Sequence, residues 1–224
     1  MNRNILFGLA ALVIAVLAGG TWVLTQPQRA PQVSQIDVPD APVEVADDLP
    51  EVSEMSLGNP DAAVTVIEYA SFTCPHCRTF HETVFDQLKA NYIETGKIRF
   101  IYREVYFDKF GLWAGLVARC GGPVRYFGIT DLIYETQPEW LASRNDAGIA
   151  QDLRKLGLTA GLGADELDAC LTDGQMAQAM VAAYQQNASA DEVTSTPSFI
   201  INGQKYSNMS YADFSAILDE KLGQ

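Results

Sequence analysis

The sequence predicts an α/β fold in which a block of helices separates two strand-bearing halves. Three observations carry that reading. The apolar, β-branched run Val64-Thr65-Val66-Ile67-Glu68-Tyr69 leads into Cys74-Pro75-His76-Cys77 and then a helical pattern of Phe80, Val84, Leu88 and Tyr92. A second strand-like run, Ile98-Arg99-Phe100-Ile101-Tyr102-Arg103, follows that helix. After a long helical stretch the β pattern returns as Ser198-Phe199-Ile200-Ile201, the turn pair Asn202-Gly203, and Gln204-Lys205-Tyr206.

Each element has its own local cause. The first two strands are joined by a helix over 77–92, which is the crossover that a parallel pair requires. From about Phe110 to Asn187 the pattern is helical: Leu112, Leu116, Val117 and Cys120 share one face, and amphipathic stretches follow over 126–134, 146–156, 164–171 and 175–187. Asp173-Gly174 separates the stretch 164–171 from 175–187. Trp113, Tyr126, Phe127 and Trp140 are expected in the helical core. The last helix starts at Ser210 with Asp213 three residues on, a capping pattern, and buries Tyr211, Phe214, Ile217, Leu218 and Leu222. Strand, cysteine helix, strand, helical block, hairpin and terminal helix make a thioredoxin-like architecture with a helical insertion at about 108–187, within a domain expected over 61–222.

The 224-residue chain is 48% apolar, enough for one substantial core. A net charge of −13 argues against a nucleic-acid partner, which wants a basic face. Residues 26–60 hold six of the ten prolines, interleaved with acids, and read as an extended linker. Residues 1–25 read as an export segment. Arg3 precedes an apolar run from Ile5 to about Leu24, long enough at about 20 residues to span a bilayer, while 16–20 contains passable small-residue cleavage sites. A membrane anchor and a cleaved signal peptide both stay open. Either one carries the cysteines out of the reducing cytosol and into the periplasm, as a tethered or a soluble protein.

Four cysteines divide into two kinds. Two residues between Cys74 and Cys77, at the first turn of a helix, let both sulfurs close one small ring. The first cysteine meets the unpaired N–H groups and positive end of the helix, which favour a thiolate. Pro75 suits the first turn because its missing N–H is not needed there. His76, as imidazolium or donor, is expected to stabilise the Cys74 thiolate further. A stabilised thiolate stabilises the reduced form, so the disulfide becomes a strong oxidant. The zinc alternative needs a second ligand pair, and Cys120, Cys170 and His81 are scattered. Thr196-Pro197, directly before a strand, taken alone suits an ordinary trans proline at a strand start; beside a Cys-x-x-Cys pair it suits a tight turn with a cis peptide bond, which would expose the backbone of Thr196 to an extended substrate segment. Cys120 and Cys170, in an oxidising compartment, are expected to form a structural disulfide; two separately buried thiols are the alternative.

The stretch from Glu68 to Cys77 resembles the active-site region of the DsbA family of periplasmic thiol:disulfide oxidoreductases. Thr196-Pro197 with the following Ser198 to Gly203 resembles that family's cis-proline segment. The likeness covers about residues 55–222. It implies that Cys74 is the nucleophile, Cys77 the resolving cysteine, His76 the main thiolate stabiliser, Pro197 the cis proline, and Glu68 a buried acid that shuttles protons near Cys77. Read from the residues alone, Glu68 is equally well a solvent-facing charge on its strand. The family's enterobacterial prototype has valine where this chain has Thr196, a departure that bears on partner recognition. The resemblance implies a protein dithiol oxidase with no bound cofactor and no metal. Its partners would be reduced exported proteins and a DsbB-like, quinone-linked membrane oxidase, and the chain is expected to act as a monomer. An isomerase or reductase of the same fold is one alternative. A membrane-tethered binding module with structural cysteines is the other.

Overall fold

The computed structural model describes residues 49–143 and 145–223. The expected export segment, and the linker up to residue 48, lie outside the described residues. Among those described, no helix is long and apolar enough to cross a membrane.

A five-stranded mixed sheet forms the centre, in the order β1-β3-β2-β4-β5. Strand β2 (Val64–Ala70) runs parallel to β3 (Ile98–Glu104), joined by helix α1 over 75–93. Helix α1 is α-helical over Pro75–Phe80 and Asp86–Leu88, with π-helical turns over His81–Phe85 and Lys89–Ile93. Strand β4 (Ser198–Ile201) pairs antiparallel with the other side of β2, and β5 (Gln204–Ser207) closes the hairpin. Both turn residues have positive φ, 47° at Asn202 and 81° at Gly203, as the two-residue hairpin demands.

The linker expected over 26–60 requires correction at its end. Met55–Gly58 is strand β1, antiparallel to β3, so the folded domain starts before residue 61. Four residues are too few to show a period, and the acids and prolines before them mask the signal. Gly58 is the residue that makes the pairing fit. Its φ is +87°, and a Cβ there would stand 2.3 Å from the Ile98 carbonyl oxygen. Glu54, just upstream, ties this edge down with ion pairs to Arg99 and Arg103 on β3.

The insertion comprises α2 (Lys109–Cys120), α3 (Gly122–Glu135), α4 (Gln137–Trp140), α5 (Asp146–Thr159), α6 (Ala164–Thr172) and α7 (Gly174–Ala190). Two of its longer helices are capped by aspartates. Asp108 accepts from the N–H groups of Phe110 and Gly111 at the start of α2, and Asp173 from Met176 at the start of α7. The short α4 carries no periodic signature. Helix α8 (Tyr211–Leu222) follows Ser210, whose hydroxyl accepts from the Asp213 N–H.

One apolar core runs through both halves. Val64, Val66 and Ala70 of β2, Phe80 and Leu88 of α1, Tyr126 and Ile133 of α3, Trp140 of α4 and Phe214 of α8 all belong to it. Tyr126, Phe127 and Trp140 are buried, and Trp113 packs on the core from a half-buried position. At roughly 25 cal/mol per Å² of apolar surface removed from water, this shared core is what holds the insertion against the sheet.

Candidate active site

The loop Ser71–Thr73 carries the chain from the end of β2 to the start of α1, and Cys74 is the helix N-cap. Its backbone is extended, φ −81° and ψ 120°, with Pro75 in the first turn. No side chain caps this helix, so its first N–H groups face the Cys74 sulfur. The turn is closed by the Cys74 N–H donating to the Ser71 carbonyl at 3.0 Å.

The insertion grips this loop at three points. Gln137, buried at the start of α4, donates from Nε2 to the carbonyls of Phe72 at 2.7 Å and Cys74 at 3.1 Å. The Tyr134 hydroxyl donates to the Ser71 carbonyl at 3.2 Å, and it also pairs with the Tyr102 hydroxyl at 2.6 Å. Thr73 Oγ1 donates to Asp108 Oδ2 at 2.8 Å. Buried carbonyls need donors, and here the donors come from a different part of the chain.

Two free cysteines stand in this frame with opposite acidities. Cys74 is brought down from the ordinary thiol range to about 5. The Cys77 thiol donating to the thiolate contributes most, followed by the Thr196 side chain and the backbone N–H groups of Cys77 and His76, against a burial cost that acts the other way. Cys77 is fully buried, and its thiol is pushed far up: burial is the largest cause, then its own hydrogen bond to Cys74, then the charges of Glu68 and Cys74. The pair is therefore a thiolate at the mouth and a thiol beneath it.

The peptide bond between Thr196 and Pro197 is cis. It brings the Thr196 carbonyl oxygen to 3.6 Å from Cys74 Sγ. Ser198, the next residue of β4, holds the turn by donating from its hydroxyl to the Ser195 carbonyl at 2.7 Å.

His76 stands at the second position of α1, two residues after Cys74. Its side chain is exposed, and its backbone N–H is among the groups that favour the Cys74 thiolate. A residue at the second position of a helix points its side chain away from the axis, whereas its N–H points along it.

Glu68 takes the inward orientation. It follows Val64 and Val66 on the same face of β2, and it is fully buried. Strand alternation contains that signal, because two inward valines at a spacing of two place Glu68 inward as well. Its Oε2 meets Nε2 of His81 at 3.1 Å. Sequence reasoning missed His81 as a site residue. It lies four residues after Cys77, one helical turn on, which puts both on one face of α1.

Cys120, at the end of α2, is bonded to Cys170 of α6. The bridge lies within the insertion and contains neither motif cysteine. Among the described residues, no group of three or more His, Cys, Asp or Glu side chains gathers as a metal site.

Comparison with known proteins gives a consistent picture. The family described as Thioredoxin is matched over residues 51–220. A putative protein-disulfide oxidoreductase of Rickettsia bellii is 35% identical over 171 residues, covering 76% of this chain and 65% of that protein. One of Rickettsia felis is 33% identical over 199 residues, covering 88% of this chain and 68% of that protein. The chain thus spans about two thirds of the length of these curated relatives. Among solved structures, alpha-DsbA1 of Wolbachia pipientis superposes with a TM-score of 0.70 at 27% identity, over 78% of this chain and 94% of that one.

Proposed function

Because this chain belongs to the thioredoxin family, in its DsbA-like group, we propose that it is a thiol:disulfide oxidoreductase acting as a dithiol oxidase on exported proteins. The observation that carries the reading is the Cys74 thiol, brought down to about 5 at a helix N-terminus and facing the cis Thr196-Pro197 bond. A sulfur that is stable as thiolate at neutral pH is a good leaving group, so the disulfide it forms is readily attacked.

In the oxidising half-reaction, a substrate thiolate attacks Cys74 Sγ of the Cys74–Cys77 disulfide. The S–S bond breaks, and Cys77 leaves with its electron pair and takes a proton, for which Glu68 is the donor. A second substrate thiolate then attacks the substrate sulfur of the mixed disulfide. The substrate leaves with a new disulfide, and Cys74 leaves as thiolate. Two electrons end on the cysteine pair, so no bound cofactor is needed. The backbone of Thr196 supports the substrate segment by pairing with it beside the sulfur. A membrane oxidase of the DsbB kind would return the pair to the disulfide. The place of action is the periplasm, with the N-terminal segment serving as signal or tether, and the working unit is a monomer.

Equilibration with glutathione tests the direction of the chemistry. A potential at or above about −180 mV, together with catalytic oxidation of a reduced, unfolded substrate protein, is expected of an oxidase. A value near the roughly −270 mV of thioredoxin would make the protein a reductase instead. A pair that resists reduction altogether would make the cysteines structural.

A further inference from the structure

His81 and Glu68 form a buried pair that the chemistry above uses only in part. Glu68 Oε2 and His81 Nε2 lie at hydrogen-bond distance, 3.1 Å, and both side chains are almost wholly inaccessible. Glu68 Oε1 and His81 Nδ1 are buried with no hydrogen-bond partner among the described residues. A buried carboxylate with no donor is strongly disfavoured, and among the described residues the imidazole is the one partner it has. The ring itself is fixed by stacking on Tyr134 at 4.3 Å and by Phe85 at 4.6 Å. The groups with charge or protons that face His81 are Glu68 on β2, Cys77 one turn earlier on α1, Tyr102 on β3, and Tyr134 and Asp131 on α3, with Lys89 beyond Asp131.

We propose that His81 is the positioning residue for proton transfer at Cys77: its Nε2–H holds Glu68 by Oε2 and leaves the unpaired Oε1 to take the Cys77 proton. This rests on the oxidase reading above and concerns its return half. There the Cys74 thiolate attacks a partner disulfide and forms a mixed disulfide. Cys77 then loses its S–H proton to Glu68 Oε1 and attacks Cys74 Sγ. The Cys77–Cys74 bond forms, and the bond from Cys74 to the partner breaks with its electron pair going to the partner sulfur. Glu68 suits the task doubly. Its negative charge opposes a thiolate at Cys77, and taking the proton cancels that charge at the moment the thiolate is needed. Nδ1 bears no proton in this arrangement, because an N–H there would be buried without an acceptor.

Oxidised glutathione is the probe. The reduced protein reacts with it in two steps, formation of the mixed disulfide by Cys74 and its resolution by Cys77, and rapid acid quenching with mass analysis separates them. In His81→Phe, resolution near neutral pH should slow by about tenfold, part of the roughly hundredfold or more that a general base contributes. The deficit should shrink at high pH, where hydroxide removes the proton. The first step should stay within about twofold, since Cys74 is held by other groups. His81→Gln, which can present an amide N–H to Oε2, should recover most of the rate. Resolution at the native rate in His81→Phe, or no recovery in His81→Gln, overturns the role of His81. Failure of the native protein to form the mixed disulfide at all would instead overturn the oxidase reading. Should His81→Phe not fold, nitrogen NMR of the native protein decides: Nε2 protonated and Nδ1 bare is expected, and the opposite tautomer overturns the proposal.

Discussion

The Thr196 carbonyl oxygen lies 3.6 Å from Cys74 Sγ, although 122 residues separate the two in the chain. The same residue's side chain is the second group that favours the Cys74 thiolate, after the Cys77 thiol. Thr196→Val keeps the shape and removes the hydroxyl. It should raise the Cys74 pKa by about one unit, the worth of a hydrogen bond to a charged group. His76→Ala, which leaves the backbone N–H in place, should move it less. Thiolate absorbance against pH reads both, and a larger shift in His76→Ala would give the imidazole the main role.

Stability of the dithiol form should depend on pH in a particular way. Cys74 has a folded-state pKa of about 5, below the roughly 8.5 of an unfolded thiol, so its contribution is complete above about 8.5 and is lost as pH falls through 5. Cys77 is shifted upward, so its contribution is complete below about 8.5 and declines as pH rises beyond that. The disulfide form titrates neither sulfur. The urea midpoint of the dithiol form minus that of the disulfide form should therefore climb from pH 5 to about 8.5 and fall above it. A flat difference across this range would mean that Cys74 is an ordinary thiol.

Gln137 is the insertion's grip on the redox loop, donating to both the Phe72 and Cys74 carbonyls. Gln137→Leu leaves the Phe72 carbonyl buried without that donor and should cost about 2 kcal/mol in urea unfolding. Gln137→Glu should cost more, because an ionised carboxylate has no hydrogen to give and repels both oxygens. A change below about 0.5 kcal/mol in Gln137→Leu would show that the loop is held without Gln137, by its own turn and the contacts of Tyr134 and Asp108.

The Cys120–Cys170 bridge closes a sequence separation of 50 residues. A Cys120→Ala, Cys170→Ala double variant should lose about 4 kcal/mol by the chain-entropy argument, less any enthalpic offset. It should keep the acidity of Cys74 and the oxidation of a reduced substrate protein at low temperature. A double variant that is still folded yet inactive as an oxidase would show instead that this second pair relays electrons.

The sequence by itself determined whatever rests on neighbours within a few residues. Cys74-Pro75-His76-Cys77 between a strand pattern and a helix pattern specifies a sulfur at a helix N-terminus. Asn202-Gly203 specifies the hairpin, and Ser210 with Asp213 the start of the last helix, since turns and caps are closed by bonds between residues two or three apart. The inward position of Glu68 was also written in the spacing of Val64 and Val66, although a charged residue on a strand leaves the outward reading open until the sheet is covered on both faces. Only the tertiary structure decided what crosses from one segment to another. Strand β1 exists because β3 offers it an edge and Gly58 lets the backbones approach. Gln137 reaches Cys74 across 63 residues, and His81 finds Glu68 across the gap between helix and strand. The acidity of Cys74 likewise comes from Cys77 and Thr196 converging on one sulfur. A side chain's type tells what it can bond, but the partner is fixed only when the chain returns, and the buried core that makes those bonds necessary exists only once the whole domain has closed.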